Sequence, residues 1–166
     1  LTKMLNDDYN FRGKGVKGTE ETKTTAENAA SNATKGSAQR ETHGHQTDTV
    51  PEELKKKDVV EILKGTADMT QEEAEETAER LILTGNRFLI EDVSRDSEAF
   101  FDVSTSKGLT LVLFNTNHIF HKKLMTKLGP EELEVMQTTI AGFARVMNET
   151  TDERRLKYLN TIRREW

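Results

Sequence analysis

Residues Leu109 to Asn115 form the most constraining feature of this sequence, because apolar side chains occupy both alternating positions of the run Leu-Thr-Leu-Val-Leu-Phe. Successive side chains of a β-strand point to opposite faces of its sheet. A strand that is apolar on both faces has to lie inside a sheet that is covered on both sides. The run therefore predicts a central strand in a layered domain.

Two further strand candidates precede this run, Arg87 to Val93 and Ala99 to Ser104. The turn from Thr105 to Gly108 is short enough for a hairpin between the last two strands. An antiparallel meander is the most economical arrangement of three such strands. Apolar side chains from these strands and from the segment that follows them are expected to form the core: Phe100, Phe101, Leu111, Leu113, Phe114 and Phe120.

Helical patterns flank the strands, and their starts and ends carry recognisable capping residues. Thr70 with Glu73 forms a capping box, and Gly85 fits the end of the helix that follows it. Further helix starts are predicted near Pro51 and at Ile119, Pro130 and Asp152. The expected fold class is α+β, a small antiparallel sheet of about three strands with helices before and after it.

The N-terminal part differs in texture from the rest of the chain. Only 34% of the 166 residues are hydrophobic, against roughly 45–50% in ordinary globular domains when Gly is included. After Phe11, Val16 is the only large apolar residue before Val50. We therefore expect residues 1–49 to be a flexible polar linker or loop, with at most a weak helix at Ala26 to Ala38, and residues 50–166 to be the α+β module.

Composition excludes several classes of function. The chain has no Cys, which removes disulfides, thiolate nucleophiles and Cys-ligated zinc. Apolar runs stay well short of the roughly 18 residues of a membrane span, so no membrane partner is expected and a cytoplasmic location is favoured. Because the chain begins with Leu1, we expect it to be a piece of a longer polypeptide.

The central strand ends in Asn115-Thr-Asn117-His118 and leads directly into a helix. At such a junction Asn115 is suited to bind backbone groups where the sheet ladder stops. Asn117 is suited to cap the incoming helix, and His118 to bond back to the strand end. These three residues are therefore predicted to form a structural junction.

Together with the preceding Phe100-Phe101-Asp102, this junction resembles the C-terminal part of bacterial ATP-binding proteins of the histidine-kinase, gyrase-B and heat-shock-chaperone-like (GHKL) family. That family has a strand ending Asn-x-x-His-Pro-Phe. Here Ile119 stands at the Pro position and His121 at the aromatic one. The closing residues 163–166, Arg-Arg-Glu-Trp, are similar to its late helix, so the resemblance covers about half of the chain.

The resemblance implies a module that lies C-terminal to an ATPase domain. The family's magnesium-binding Asn and Glu and its Asp-x-Gly-x-Gly loop are missing from this sequence. Catalytic residues and cofactors are therefore expected to be absent from this chain, with ATP and magnesium bound by the parent protein. The implied partners are the ATPase domain and a second copy of the chain, and the implied role is coupling and dimerisation without catalysis.

Two other motifs have simpler interpretations. Residues 13–18 fit G-x-G-x-x-G, and Lys14 and Lys17 are weak candidates for nucleotide contact, but no apolar strand precedes the motif. His43 with His45, and His118 with His121, lack a third ligand nearby, so no metal site is predicted.

The last helix is basic in a chain of net charge -5. Such a face either is solvated, pairs with the acidic residues 72–79, or contacts phosphate backbones. The alternative function is thus a nucleic-acid-binding adaptor. A third hypothesis, an autonomous enzyme, requires a pocket where His118, Asp102 and a hydroxyl converge. The nucleic-acid candidates are Arg154, Arg155, Lys157, Arg163 and Arg164.

Overall fold

The computed structural model describes residues 20–34 and 52–165, with the backbone alone for residues 52–55. Within these ranges a three-stranded sheet is flanked by helices on both faces, so the predicted α+β class is confirmed. In chain order the elements are α1 (residues 20–34), α2 (Glu52–Thr66), α3 (Gln71–Thr84), β1 (Phe88–Val93), β2 (Phe101–Ser106), β3 (Leu109–Asn115), α4 (Ile119–Lys123), a 3-10 turn (Met125–Lys127), α5 (Pro130–Glu149) and α6 (Glu153–Arg164).

The strands are ordered β1-β3-β2, so β3 is central as predicted. β2 and β3 form the expected antiparallel hairpin. β1, however, runs parallel to β3, with Phe88 opposite Thr110 and Val93 opposite Asn115. The sheet is therefore mixed, and the prediction of a purely antiparallel meander is wrong. Because β1 and β2 lie on opposite sides of β3, residues 94–100 cross the end of the central strand.

Every residue of β3 is buried, because helices cover both faces of the sheet. On one face Leu111 and Leu113 pack with residues of α2 and α3, including Leu63 and Leu81. On the other face the large aromatic side chains meet α1 and α5. The residues predicted to form the core are buried on one face or the other, except that Phe120 is partly buried: Phe100, Phe101, Leu111, Leu113, Phe114 and Phe120.

Local signals fix several boundaries of the elements. Glu73 N donates to the Thr70 hydroxyl, and the Glu73 carboxylate accepts from Thr70 N at 3.0 Å, which completes the predicted capping box. Gly85 ends α3 with a φ of 64°. In the β2–β3 turn, Lys107 and Gly108 both have positive φ, as a type I′ hairpin requires.

Helix α1 is the main departure from the sequence-based expectation for residues 1–49. Ala26 and Ala30 belong to the core, and three polar side chains spaced by four residues face the free edge of β1. These are Lys23, Glu27 and Ser31, a set that we call the α1 polar stripe. The remainder of the predicted linker lies outside the described residues.

The α1 polar stripe accepts hydrogen bonds from backbone N–H groups along β1, as a neighbouring strand would. Ile90 N donates to Glu27 Oε1 at 2.9 Å, and Arg87 N donates to the Ser31 hydroxyl at 2.9 Å. Arg80 of α3 donates to Glu27 Oε2 at 2.8 Å. The unpaired backbone groups of an edge strand need hydrogen-bond partners. A polar helix face supplies them and can therefore be buried here, whereas an apolar face would leave them unsatisfied.

Candidate functional site

The junction at the carboxyl end of β3 is organised by the Asn115 side chain, which is 1% exposed. Its Oδ1 accepts from Arg95 N at 3.2 Å and from Asn117 N at 3.1 Å. Its Nδ2 donates to Ser97 O at 2.9 Å and to Ala99 O at 3.3 Å. All the hydrogen bonds of the Asn115 amide are therefore made to backbone groups. Three of the four partners lie in the segment that crosses the end of β3.

The other two predicted junction residues lie beside it, but the predicted helix cap is wrong. His118, rather than Asn117, is the N-cap of α4, because Phe120 N donates to its Nδ1 at 3.2 Å. Asn117 Nδ2 instead donates to the Ser94 hydroxyl at 2.9 Å and fastens the crossing segment from outside. The His118 ring also packs against Phe100, with ring centroids 5.7 Å apart.

A cluster of charged side chains that sequence reasoning missed lies at the end of β1. Lys23 Nζ is 2.9 Å from Asp92 Oδ2 and 3.6 Å from Glu91 Oε2. His121 Nε2 is 3.5 Å from Asp92 Oδ1. The cluster joins α1 and α4 to β1. Its members come from three separate segments of the sequence, so no local pattern signalled it.

The electrostatics of this cluster favour a charged pair formed by Lys23 and Asp92. Burial alone would raise the pKa of Asp92, but His121 and Lys23 hold it below its usual value. Burial alone would lower the pKa of Lys23, but the carboxylates of Asp92 and Glu91 raise it. A protonated amine is a poor nucleophile and base, so the arrangement is suited to holding elements together. Burial raises the pKa of Glu91 and, in the adjoining stripe, of Glu27.

Arg163 was predicted as a nucleic-acid candidate, but the structure places it in the interior. It is 8% exposed, and its Nη1 donates to Phe101 O at 2.7 Å and to the carboxylate of Asp102. Arg95 also contacts Asp102, at 3.4 Å, and donates to Thr66 O at the end of α2. Arg163 therefore fastens α6 to β2 and cannot reach a phosphate backbone, which corrects the prediction for this residue.

The pocket required by the enzyme hypothesis is not formed by these residues. The Asp102 carboxylate is held by two arginines, whereas His118 is engaged with Phe120 N and the Phe100 ring. Within the described ranges, His, Asp and Glu side chains assemble no group of three that could hold a metal ion. The candidates Lys14 and Lys17, like His43 and His45, lie outside the described residues.

The remaining cations of α6 are all exposed. Tyr158 is exposed among them, at 67%. In the part of the chain that the structure describes, no ion pair joins α6 to the acidic helix α3, whose Glu79 pairs with Lys56 instead. This basic surface consists of Arg154, Arg155, Lys157 and Arg164.

No helix in the described ranges combines the length and apolarity that crossing a bilayer demands. Comparisons with protein-family models, with curated proteins and with solved structures found no match to this chain. Among the described residues, the junction and the exposed surfaces are therefore the features from which a function is inferred.

Proposed function

We propose that this chain is a non-catalytic coupling and dimerisation module from the C-terminal part of a cytoplasmic GHKL-type ATP-binding protein. The observation that carries the proposal is the complete engagement of Asn115, whose amide makes all of its hydrogen bonds to backbone groups. On this proposal, the polar junction that resembles the family's motif has a structural role and not a catalytic one. The proposed partner is the ATPase domain, on the same polypeptide or on another.

Polar contacts at one end of the sheet support a mechanical role. Arg163 ties α6 to β2, and Arg95 ties the crossing segment to the end of α2. Lys23 and His121 tie α1 and α4 to β1 through Asp92. Elements joined in this way move as a unit, which is what a domain that follows an attached ATPase requires.

The test uses a polypeptide in which the proposed ATPase domain is joined to this chain. We expect it to bind and slowly hydrolyse ATP, with Arg163→Met changing the hydrolysis rate but not ATP affinity. Arg164→Met is the matched control, because it removes the same group from an exposed position one residue away. Failure to bind nucleotide would contradict the family assignment, and an unchanged rate in a folded Arg163→Met protein would contradict coupling.

A second candidate function is nucleic-acid binding, and the exposed basic surface of α6 favours it. Four cations without ion pairs to α3 flank an exposed Tyr158, and aromatic side chains among cations are typical of surfaces on which bases stack. Binding should weaken with salt, with a log–log slope of about -3 to -4 if all four cations meet phosphates of a duplex.

The matched experiment for this alternative compares two neutralised pairs. Arg154→Gln with Arg155→Gln should reduce the salt slope by about 2. Lys122→Gln with Lys123→Gln, exposed cations of α4, should leave it unchanged. Equal effects of the two pairs, or no binding of DNA or RNA at low salt, would rule out a specific role for α6.

A further inference from the structure

The outer edge of β2 carries backbone groups that point away from the sheet. Asn115 N donates to Phe100 O at 2.8 Å, and in an antiparallel ladder such bonded positions alternate. Residues 102, 104 and 106 therefore bond to β3, whereas the N–H and C=O groups of Phe101, Val103 and Thr105 face outward.

The two edges of the sheet differ in how far their outward backbone groups are hydrogen-bonded. The β1 edge is closed by the α1 polar stripe. On the β2 edge, Arg163 covers Phe101 O, at 2.7 Å, and extends no further along the strand. In the described part of the chain no hydrogen bond reaches the outward groups of Val103 and Thr105.

The open part of this edge has none of the features that block strand pairing. Residues 103–105 read Val-Ser-Thr, without charge or Pro, and the β2–β3 register runs without a bulge. Thr105 is exposed, and its two neighbours are half-buried. Helix α6, which Arg163 joins to Phe101 and Asp102, carries three half-buried apolar side chains that belong to neither hydrophobic cluster: Leu156, Leu159 and Ile162.

We propose that β2 pairs antiparallel with β2 of a second copy around a two-fold axis at Ser104, joining two sheets into one of six strands. In this register Val103 of each copy lies opposite Thr105 of the other, so four hydrogen bonds satisfy all the outward groups of both residues. Asp102 lies opposite Ser106, and no like charges face each other. The inference names the partner surface for the dimerisation in the proposed function and rests on that part of it.

The first test is the oligomeric state of the full chain, measured by sedimentation equilibrium over a range of concentrations. Thr105→Pro removes an outward N–H and leaves the β2–β3 ladder intact, so it should weaken the dimer at least tenfold, the equivalent of about 1.4 kcal/mol. Thr105→Ala keeps the N–H and should dimerise like the parent chain. A monomer at the highest soluble concentration, which would leave the edge to a different protein, overturns the proposal. So does a folded Thr105→Pro chain that dimerises normally.

The second test does not depend on how well the Pro variant folds. The chain has no Cys, so Ser104→Cys introduces a single thiol. The axis places it opposite its own copy at a non-hydrogen-bonded pair, with Cα atoms about 4.5 Å apart, within the range that a disulfide needs. Mild oxidation should yield a covalent dimer, whereas Ser106→Cys, opposite Asp102, should not. Equal cross-linking of both overturns the proposed register, and neither test depends on ATP.

Discussion

Removing the Asn115 side chain tests whether the junction has the structural role assigned to it. Asn115→Ala leaves four backbone groups without partners, those of Arg95, Asn117, Ser97 and Ala99. Each neutral hydrogen bond contributes about 0.5–1.5 kcal/mol net, and two of these four are long, so we expect a loss of about 3 kcal/mol. For a chain of this size that corresponds to a decrease in Tm of about 6–12 °C.

Urea unfolding followed by circular dichroism measures this loss. Asn117→Ala is the control, because it removes the same amide two residues away from an exposed pair of contacts, at 2.9 and 3.4 Å. It should cost less than about 1 kcal/mol. The reasoning would be refuted by an Asn115→Ala chain within about 1 kcal/mol of the parent chain, or by equal losses in the two variants.

The same position also gives a signed pH prediction. Asn115→Asp keeps one oxygen that accepts from Arg95 N and Asn117 N, but it turns the second oxygen toward Ser97 O and Ala99 O. This repulsion, together with burial, raises the pKa of the introduced carboxyl in the folded state. A raised folded-state pKa gives stability that is present at low pH and lost as pH rises through it. The loss in free energy of unfolding caused by Asn115→Asp should therefore be smallest in acid and grow toward neutral pH. A loss that does not change with pH would contradict the placement of the Asn115 Nδ2 donor beside Ser97 O and Ala99 O.

Three further predictions concern buried polar groups. Burial raises the pKa of Glu27 above its ordinary 4.5, so the contribution of Glu27 to the free energy of unfolding declines as pH rises above that value. Glu27→Gln should therefore flatten the curve of unfolding free energy against pH in this range. A variant curve parallel to that of the parent chain would contradict this. Arg163→Met should cost about 2–3 kcal/mol in urea unfolding, since a charged hydrogen bond to Asp102 is lost, against less than about 0.5 kcal/mol for Arg164→Met. The buried Thr110 hydroxyl has no partner among the described residues, so Thr110→Val should raise Tm, and a lowered Tm would indicate a hidden partner.

Local sequence signals predicted the elements whose causes are local. The Thr70 capping box, Gly85 as the helix end, Pro130 as the start of α5 and Asp152 as the cap of α6 are all present. Each acts on backbone groups within a few residues, so its chemistry is complete in a short segment. The burial of β3 on both faces was predictable for the same reason, since alternation within one strand shows it.

Topology and the first helix depended on contacts between distant segments. The parallel pairing of β1 with β3 is decided by the segment crossing at residues 94–100, which carries no turn signal for one order over the other. Helix α1 was expected only as a weak helix at Ala26 to Ala38, because its buried side chains are alanines and polar residues, those at 22, 23, 27, 31 and 34. An apolar stripe is the usual sign of a packed helix. Arg163 was misplaced because its charge suggested solvent, and only its distant partner Asp102 explains its burial.

The crossing segment gives a physical reason for the polar motif on which the family resemblance rests. A backbone that passes over a buried strand end needs partners for its N–H and C=O groups. Asn115 supplies two acceptor interactions and two donors at one position, whereas an aspartate cannot donate and an alanine offers neither. An asparagine therefore suits this strand end better than either of them. It follows that Asn115 is a marker of how the sheet is connected, and that differences in function between chains sharing this connection should arise at exposed elements such as α6 and the β2 edge.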